Sequence, residues 1–452
     1  MEITDFSKGS VKKNIVRLAV PMTLAQLINV LYNIVDRIYI GRLEQGNALE
    51  LTGLGVCLPV ISIIIAFANL IGMGGAPLFS IQRGKKDDEE AAGILGNCFV
   101  MLLLCGVFLT VVIMAVKKPV LYLLGASDQT YVYADAYLTI YLFGTVFVML
   151  SLGLNQFISA QGFGTTGMLT IVIGAGLNIV LDPVFIYGLH MGVRGAAVAT
   201  VISQFVSAVW TLRFLLGKRA VVRLQKKYMP LQKKRIGRIL GLGASSFTMG
   251  VTNSLVQMVC NATLQNMGGD IYVGVMTIIN SIREVAQMPV SGISAGAQPV
   301  MGYNYGAGRF DRVKESIHFM TLTLFGYTAL AWGVIFLFPE FFLGIFSTDA
   351  SVISAGVTCL HIYFFGFFMM ALQFTGQTTF TGLGLSRRAI FFSIFRKVII
   401  VVPLTLILPH AAGLGVMGVF LAEPISNFIG GSACYSVMYV TVLKNVEFET
   451  KK

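Results

Sequence analysis

Gly74-Gly-Ala-Pro77 followed by Gly84, and Gly296-Ala-Gln-Pro299 followed by Gly306, are one pattern written twice, 222 residues apart (306 − 84 = 222). The recurrence continues outward. Gly162-Phe-Gly164 returns as Gly382-Leu-Gly384, Pro183 as Pro403, and Gly192-Val-Arg-Gly195 as Gly415-Val-Met-Gly418. Glycine and proline punctuate helices and turns, so their return at one long period marks a duplicated half rather than a short solenoid repeat.

The stretches between these marks set the solvent. Of the 452 residues 56% are hydrophobic and 12% charged, with a mean hydropathy of +0.78. That charge is too sparse to solvate one large globule, and the apolar runs reach the roughly 20 residues a helix needs to cross a bilayer. The sequence predicts an all-α membrane protein with twelve transmembrane helices, the first Ile15–Ile40 and the last Leu414–Leu443. Six spans is an even number, so both halves start on the same side of the membrane. Two parallel six-helix lobes related by a pseudo-two-fold axis along the membrane normal are expected, the repeat design of many secondary transporters. The lobes are drawn at 1–216 and 236–452, with a basic linker at 217–235 between them.

Most of the 33 Lys and Arg fall on the side of the termini and the linker, which places both termini in the cytoplasm and the chain in the cytoplasmic (inner) membrane. The net charge of +12 is this topological bias together with attraction to lipid headgroups, so nucleic acid is not an expected partner. No cleavable signal pattern precedes the first span. The six cysteines stand singly within spans and no Walker A string occurs, so neither a disulfide framework, a zinc site, ATP hydrolysis nor a cofactor is indicated. Gly292-Ile-Ser-Ala-Gly296 fits the nucleophile elbow, but an intramembrane hydrolase built on Ser294 lacks the strand-turn-helix setting and a visible base.

Polar side chains at membrane depth carry the functional signal, because an ionisable group there is costly unless it faces a cavity or a partner. Gln26, Asn29, Asn33 and Asp36 follow in steps of three and four, which puts them on one helical face. Asn178 and Asp182 lie one turn apart, Asn155 is on the preceding span, and Thr200 and Gln204 are on the following one. Two carboxylates and several neutral oxygens suit a proton or a hard cation, with Asp36, Asp182 and Asn178 the candidate Na⁺ ligands. The second half shows neutral stripes at Asn253, Gln257 and Asn261 and at Gln373, Gln377 and Thr381. Asn280, Glu284 and Gln287 share a face as well, and Glu284 is the carboxylate expected to meet a cationic cargo. With Gln26 and Asn33 these side chains make the expected substrate cavity. Pro21 and Pro183 interrupt backbone hydrogen bonding and are the expected hinges. Arg37, Arg283, Arg396 and Lys397 remain as unassigned buried bases, the feature a flippase for lipid-linked saccharides would need.

Pro21 with Asp36 in Asn33-Ile-Val-Asp-Arg-Ile-Tyr-Ile-Gly41, Gly74-Gly-Ala-Pro77, Asn178-Ile-Val-Leu-Asp182-Pro183, Gly195-Ala-Ala-Val-Ala-Thr200 and Gln298-Pro-Val-Met-Gly-Tyr-Asn-Tyr-Gly-Ala307 resemble the multidrug and toxic compound extrusion (MATE) transporters, in their bacterial DNA-damage-inducible-protein-like branch. The resemblance runs over essentially the whole chain. It implies alternating access of two lobes and export of cationic or amphipathic organic compounds in exchange for H⁺ or Na⁺; a monomer without enzymatic activity is expected. It also implies that Asp36 is the coupling residue, with Asp182, Asn178, Asn155 and Thr200 as its network. Members of another branch carry coupling acids on spans seven and ten, where this chain has Asn253, Gln257, Gln373 and Gln377.

Overall fold

The computed structural model describes residues 3–41, 48–347, 349–411 and 413–444; the side chains of Asn33 and Asp36 lie outside the described set. Among the described residues there are helices and turns and no strand. The first half runs α1 (Val11–Gly41), α2 (Ala48–Gly84), α3 (Asp88–Leu123), α4 (Asp128–Phe143), α5 (Thr145–Ala160), α6 (Gly164–Pro183) and α7 (Val193–Leu216). The second runs α8 (Lys233–Gly306), α9 (Phe310–Leu337), the short α10 (Pro339–Gly344), α11 (Ala350–Phe364), α12 (Met370–Gly382), α13 (Ser386–Ile394), α14 (Val402–Ile407) and α15 (Val416–Met438).

Twelve spans emerge from these helices. Nine described helices are long and apolar enough by themselves, and α4 with α5, bent by 56° at Gly144, makes a tenth. Continuous as it is, α8 holds two. Gly269 breaks it at φ 69° and ψ −166°, a conformation that any side chain with a Cβ would strain. The twelfth is α15, which buries Glu423, Pro424 and Asn427 within it.

Two compact units divide the chain. One comprises Val20–Gly243 with Met1–Asp5, the other Ala244–Lys452 with Phe6–Ala19. Compared with lobes drawn at 1–216 and 236–452, the opening turns of α1 and α8 are exchanged. Phe6, Val11, Ile15 and Leu18 belong to the apolar core of the second unit, and Ile239 and Leu242 to that of the first. Polar contacts fix each exchange. Arg312 donates to the carbonyls of Gly9 (2.9 Å) and Phe6 (3.1 Å) and to Asn304 Oδ1 (2.9 Å), and Phe6 meets the Tyr303 ring edge-on. In the first unit the linker folds back onto α3. Arg235 pairs with Glu90 at 2.7 Å, and Asn97 bonds Pro230 O and Gln232 N, both at 2.9 Å.

Small residues let the helices of the first unit close on one another. A Cβ on Gly72 of α2 would stand 2.7 Å from the carbonyl oxygen of Gly153 on α5, so the two backbones touch where any larger residue would hold them apart.

Candidate functional site: a polar cavity in each unit

In the first unit α1, α2, α5, α6 and α7 enclose a cavity of about 310 Å³. Each helix contributes at helical spacing: Gln26, Asn29 and Tyr32 from α1; Asn69 from α2; Ser151 and Asn155 from α5; Thr170, Gly174 and Asn178 from α6; Thr200, Ser203, Gln204 and Ser207 from α7. Many of these donors are already held. Ser151 donates to Gln204 Oε1 at 2.7 Å, Asn155 Nδ2 to Gly167 O at 3.2 Å, and Ser207 to Thr170 O at 3.1 Å. The acceptor Asn155 Oδ1 is buried without a protein partner, which leaves an oxygen free for a cation or a protonated group.

Behind this wall lies the acid. Asp182 is fully buried, and Asn178 stands between it and the cavity. Oriented to satisfy its neighbours, the Asn178 amide donates to Asp182 Oδ2 at 2.8 Å while its oxygen accepts from the Thr200 N–H at 3.1 Å and hydroxyl at 3.3 Å. The one-turn spacing of Asn178 and Asp182 makes the pair possible, and α6 then gives way at Pro183 to a wider π turn, Val184–Gly188. One carboxylate with amide and hydroxyl oxygens fits a proton or a hard monovalent cation. Among the described residues no group of three or more His, Cys, Asp or Glu is placed to hold a metal ion.

The second unit has a cavity of about 130 Å³ lined by Asn253, Gln257, Cys260, Asn280, Arg283, Tyr363, Lys397 and Glu423. Its centre is charged. Glu423 Oε1 receives Arg396 at 3.1 Å, Lys397 at 3.1 Å and, more loosely, Arg283 at 3.5 Å; Arg396 also donates to Asn427 Oδ1 at 2.6 Å. A π segment, Phe395–Val401, between α13 and α14 presents Arg396 and Lys397 to the same carboxylate although they are sequence neighbours. Tyr363 donates to Asn280 Oδ1 at 3.4 Å on the cavity wall.

The duplication relates the two cavities. Glu423 and Asn427 on α15 stand where the first half has Thr200 and Gln204 on α7 (423 − 200 = 223 and 427 − 204 = 223), the offset that also relates Gly195 to Gly418. A family model described as MatE matches residues 21–184 and again 246–407, one copy on each half. The chain belongs to the MatE family.

Among curated relatives, the multidrug export protein MepA of Staphylococcus haemolyticus is 26% identical over 96% of this chain and 95% of its own length. That of Staphylococcus aureus is 25% identical with the same coverage. Among solved structures, MATE in the bent conformation superposes with a TM-score of 0.92 at 24% identity, over 99% of this chain and 98% of that one. The outward-facing conformation of a multidrug resistance MATE family transporter of the MOP superfamily gives 0.91 at 24%, over 100% and 99%. This likeness is one of fold: an all-α membrane protein with twelve spans in two six-helix lobes.

Within this MatE fold the predicted residues separate. Gln26, Asn155, Asn178 and Thr200 line the first cavity, and Asp182 sits one side chain behind it. Asn33 and Asp36 are on α1, with side chains outside the described set. Asn253, Gln257 and Asn280 line the second cavity. Four others line neither. Gln287 donates to the Met370 sulfur, Gln373 is buried, Gln377 donates to Ala389 O and to Ser393, and Glu284 is exposed. The acid of the second cavity is Glu423, which sequence reasoning missed. Its signal was available: a lone carboxylate inside a span, directly after a span that carries an adjacent Arg-Lys pair. Ser294 lies within continuous α8, buried and mid-helix, not on an elbow.

Proposed function

We propose that this MatE chain is a secondary antiporter of the cytoplasmic membrane, a monomer with both termini cytoplasmic. It exports cationic or amphipathic organic compounds in exchange for H⁺ or Na⁺. The observation that carries the reading is the buried Asn178–Asp182 pair facing an uncharged, oxygen-lined cavity through Thr200. A coupling ion needs a site whose charge changes in each cycle, and a carboxylate behind neutral oxygens supplies it. Asp36 continues in sequence the stripe on which Gln26 and Asn29 line that cavity, so Asp36 and Asp182 together hold the ion. The names of the MepA relatives support drug export as the activity.

One H⁺ entering for one monovalent cation leaving moves no net charge, whereas two entering moves one. The membrane potential then contributes about 2.3 kcal/mol per 100 mV.

The cationic cluster of the second unit favours the rival reading, a lipid-linked saccharide flippase, but a cavity of about 130 Å³ does not admit a pyrophosphate with its sugar. Proteoliposomes loaded with a fluorescent cation and given a pH or Na⁺ gradient separate the readings. Asp36→Asn and Asp182→Asn should each abolish gradient-driven export while drug binding survives. Near-normal export by both variants moves the coupling site elsewhere.

A further inference from the structure

The second cavity has a charge imbalance that the antiport scheme does not use. Arg283, Arg396 and Lys397 converge on one acid, Glu423, and their side chains are 21%, 8% and 4% exposed against 7% for the acid. Among the described residues no other carboxylate pairs with these three cations. Glu284 follows Arg283 in sequence but is exposed and outside the cavity. Burying cations beyond the number of acids is costly, and the excess draws in a counter-charge.

The geometry shows where it would sit. Arg396 is committed to Glu423 and Asn427. Arg283 and Lys397 both line the cavity, Arg283 reaches Glu423 only at 3.5 Å, and its Nε is buried without a hydrogen-bond partner. Asn253, Gln257 and Asn280 add amide donors around the same space. At about 30 Å³ per water in the liquid, a space of about 130 Å³ holds about four waters. It is therefore too small for a drug-sized molecule and ample for one carboxylate or halide.

We propose that this cavity is a binding site for a small monoanion, held between the Arg283 guanidinium, the Lys397 ammonium and the amides of Asn253, Gln257 and Asn280. The class is one negative charge on a compact group: chloride from solution, or the carboxylate end of a zwitterionic or acidic amphipathic cargo. In the second case the second unit recognises the anionic end of a molecule. Glu423 is the anion's internal competitor, since it already neutralises part of the cluster.

That competition gives a binding experiment with opposite signs. Saturable binding of radiolabelled chloride to the purified full chain in detergent is measured, with acetate and formate as competitors and size exclusion as the check on folding. Arg283→Gln and Lys397→Gln should each weaken binding about tenfold or more, Arg283→Lys should keep part of it, and Glu423→Gln should tighten it about tenfold or more. Chloride displaced by acetate, with uptake of a carboxylate-bearing dye lost in Arg283→Gln vesicles, upholds the site and names the cargo as the source. Chloride binding with dye uptake intact upholds it with solution anion as the source. No saturable binding to either the native chain or Glu423→Gln overturns the proposal, as does binding that Arg283→Gln and Lys397→Gln leave unchanged.

Discussion

Removing the charge of Glu423 while keeping its shape is the sharpest test of how the second unit is held together. In Glu423→Gln the side chain still fits, and Arg396 keeps Asn427, but Arg283, Arg396 and Lys397 face one another without an acid. At 3.1 Å and an effective dielectric of about 20, each of the two close pairs represents about 5 kcal/mol of attraction before desolvation is counted. Losing one partner of a buried pair costs about 3–5 kcal/mol, because the stranded charge stays buried. Adding Lys397→Met removes one of the stranded cations, so the double variant should recover about 1–3 kcal/mol of that loss. Reversible unfolding in mixed micelles, run on the native chain, both single variants and the double variant, gives the coupling energy. A Glu423→Gln loss below about 1 kcal/mol, or single effects that simply add in the double variant, would refute the account of the cluster as one electrostatic unit.

Three other outcomes follow from the described contacts. Pro21→Ala restores a backbone donor in α1 next to the point where the helix passes from the second unit (Phe6–Ala19) to the first (Val20 onward); turnover should slow while drug binding stays measurable, and unchanged transport removes the hinge role. Gly72→Leu puts a side chain against the Gly153 backbone and should cost about 1–3 kcal/mol or block folding, read as a lower melting temperature; an unchanged melt means that α2 and α5 do not touch there. Asn97→Ala leaves the Gln232 N–H and the Pro230 carbonyl without their shared partner, costing about 1–3 kcal/mol and exposing the linker to protease; equal protease resistance would mean that the linker is held by its ion pairs alone.

The twelve-span architecture was legible because its signals are long and repeated: apolar runs interrupted by Gly and Pro at one period. The first cavity was nearly as legible. Asn155, Asn178 and Thr200 are polar residues on three successive, otherwise apolar helices, and such side chains are costly unless they point inward. What failed in the second half was a matter of pairing across helices. Glu284 aligns with Asn280 and Gln287 along one helix, so a single-helix reading favours it, yet only Asn280 of the three lines the cavity. Glu423 shares a face with Asn427 one turn on, but its role comes from the π segment, which brings Arg396 and Lys397 to it from another helix. The exchange of opening turns between the units was equally out of reach, since it depends on which core buries Phe6, Val11, Ile239 and Leu242 and not on where the linker falls.

The equivalence of Thr200 with Glu423 and of Gln204 with Asn427 gives the two cavities one origin and opposite electrostatics. In the first, the neutral hydroxyl of Thr200 supports Asn178, which supports Asp182, so the one charge this trio can carry is that of the Asp182 carboxylate, the group proposed to take part in holding the coupling ion. In the second, the acid stands at the Thr200-equivalent position itself and is outnumbered by three cations. A site with a surplus of fixed positive charge repels the coupling cation as strongly as it attracts an anion. On the antiport proposed above, the duplication therefore leaves cation coupling to the first half alone. It predicts that adding a carboxylate to the second cavity, as in Asn280→Asp, halves the surplus of cations over acids and weakens chloride binding without creating a second Na⁺-dependent step. Transport that becomes more steeply dependent on Na⁺ in Asn280→Asp would show that the two halves are interchangeable, and this division of labour would fall.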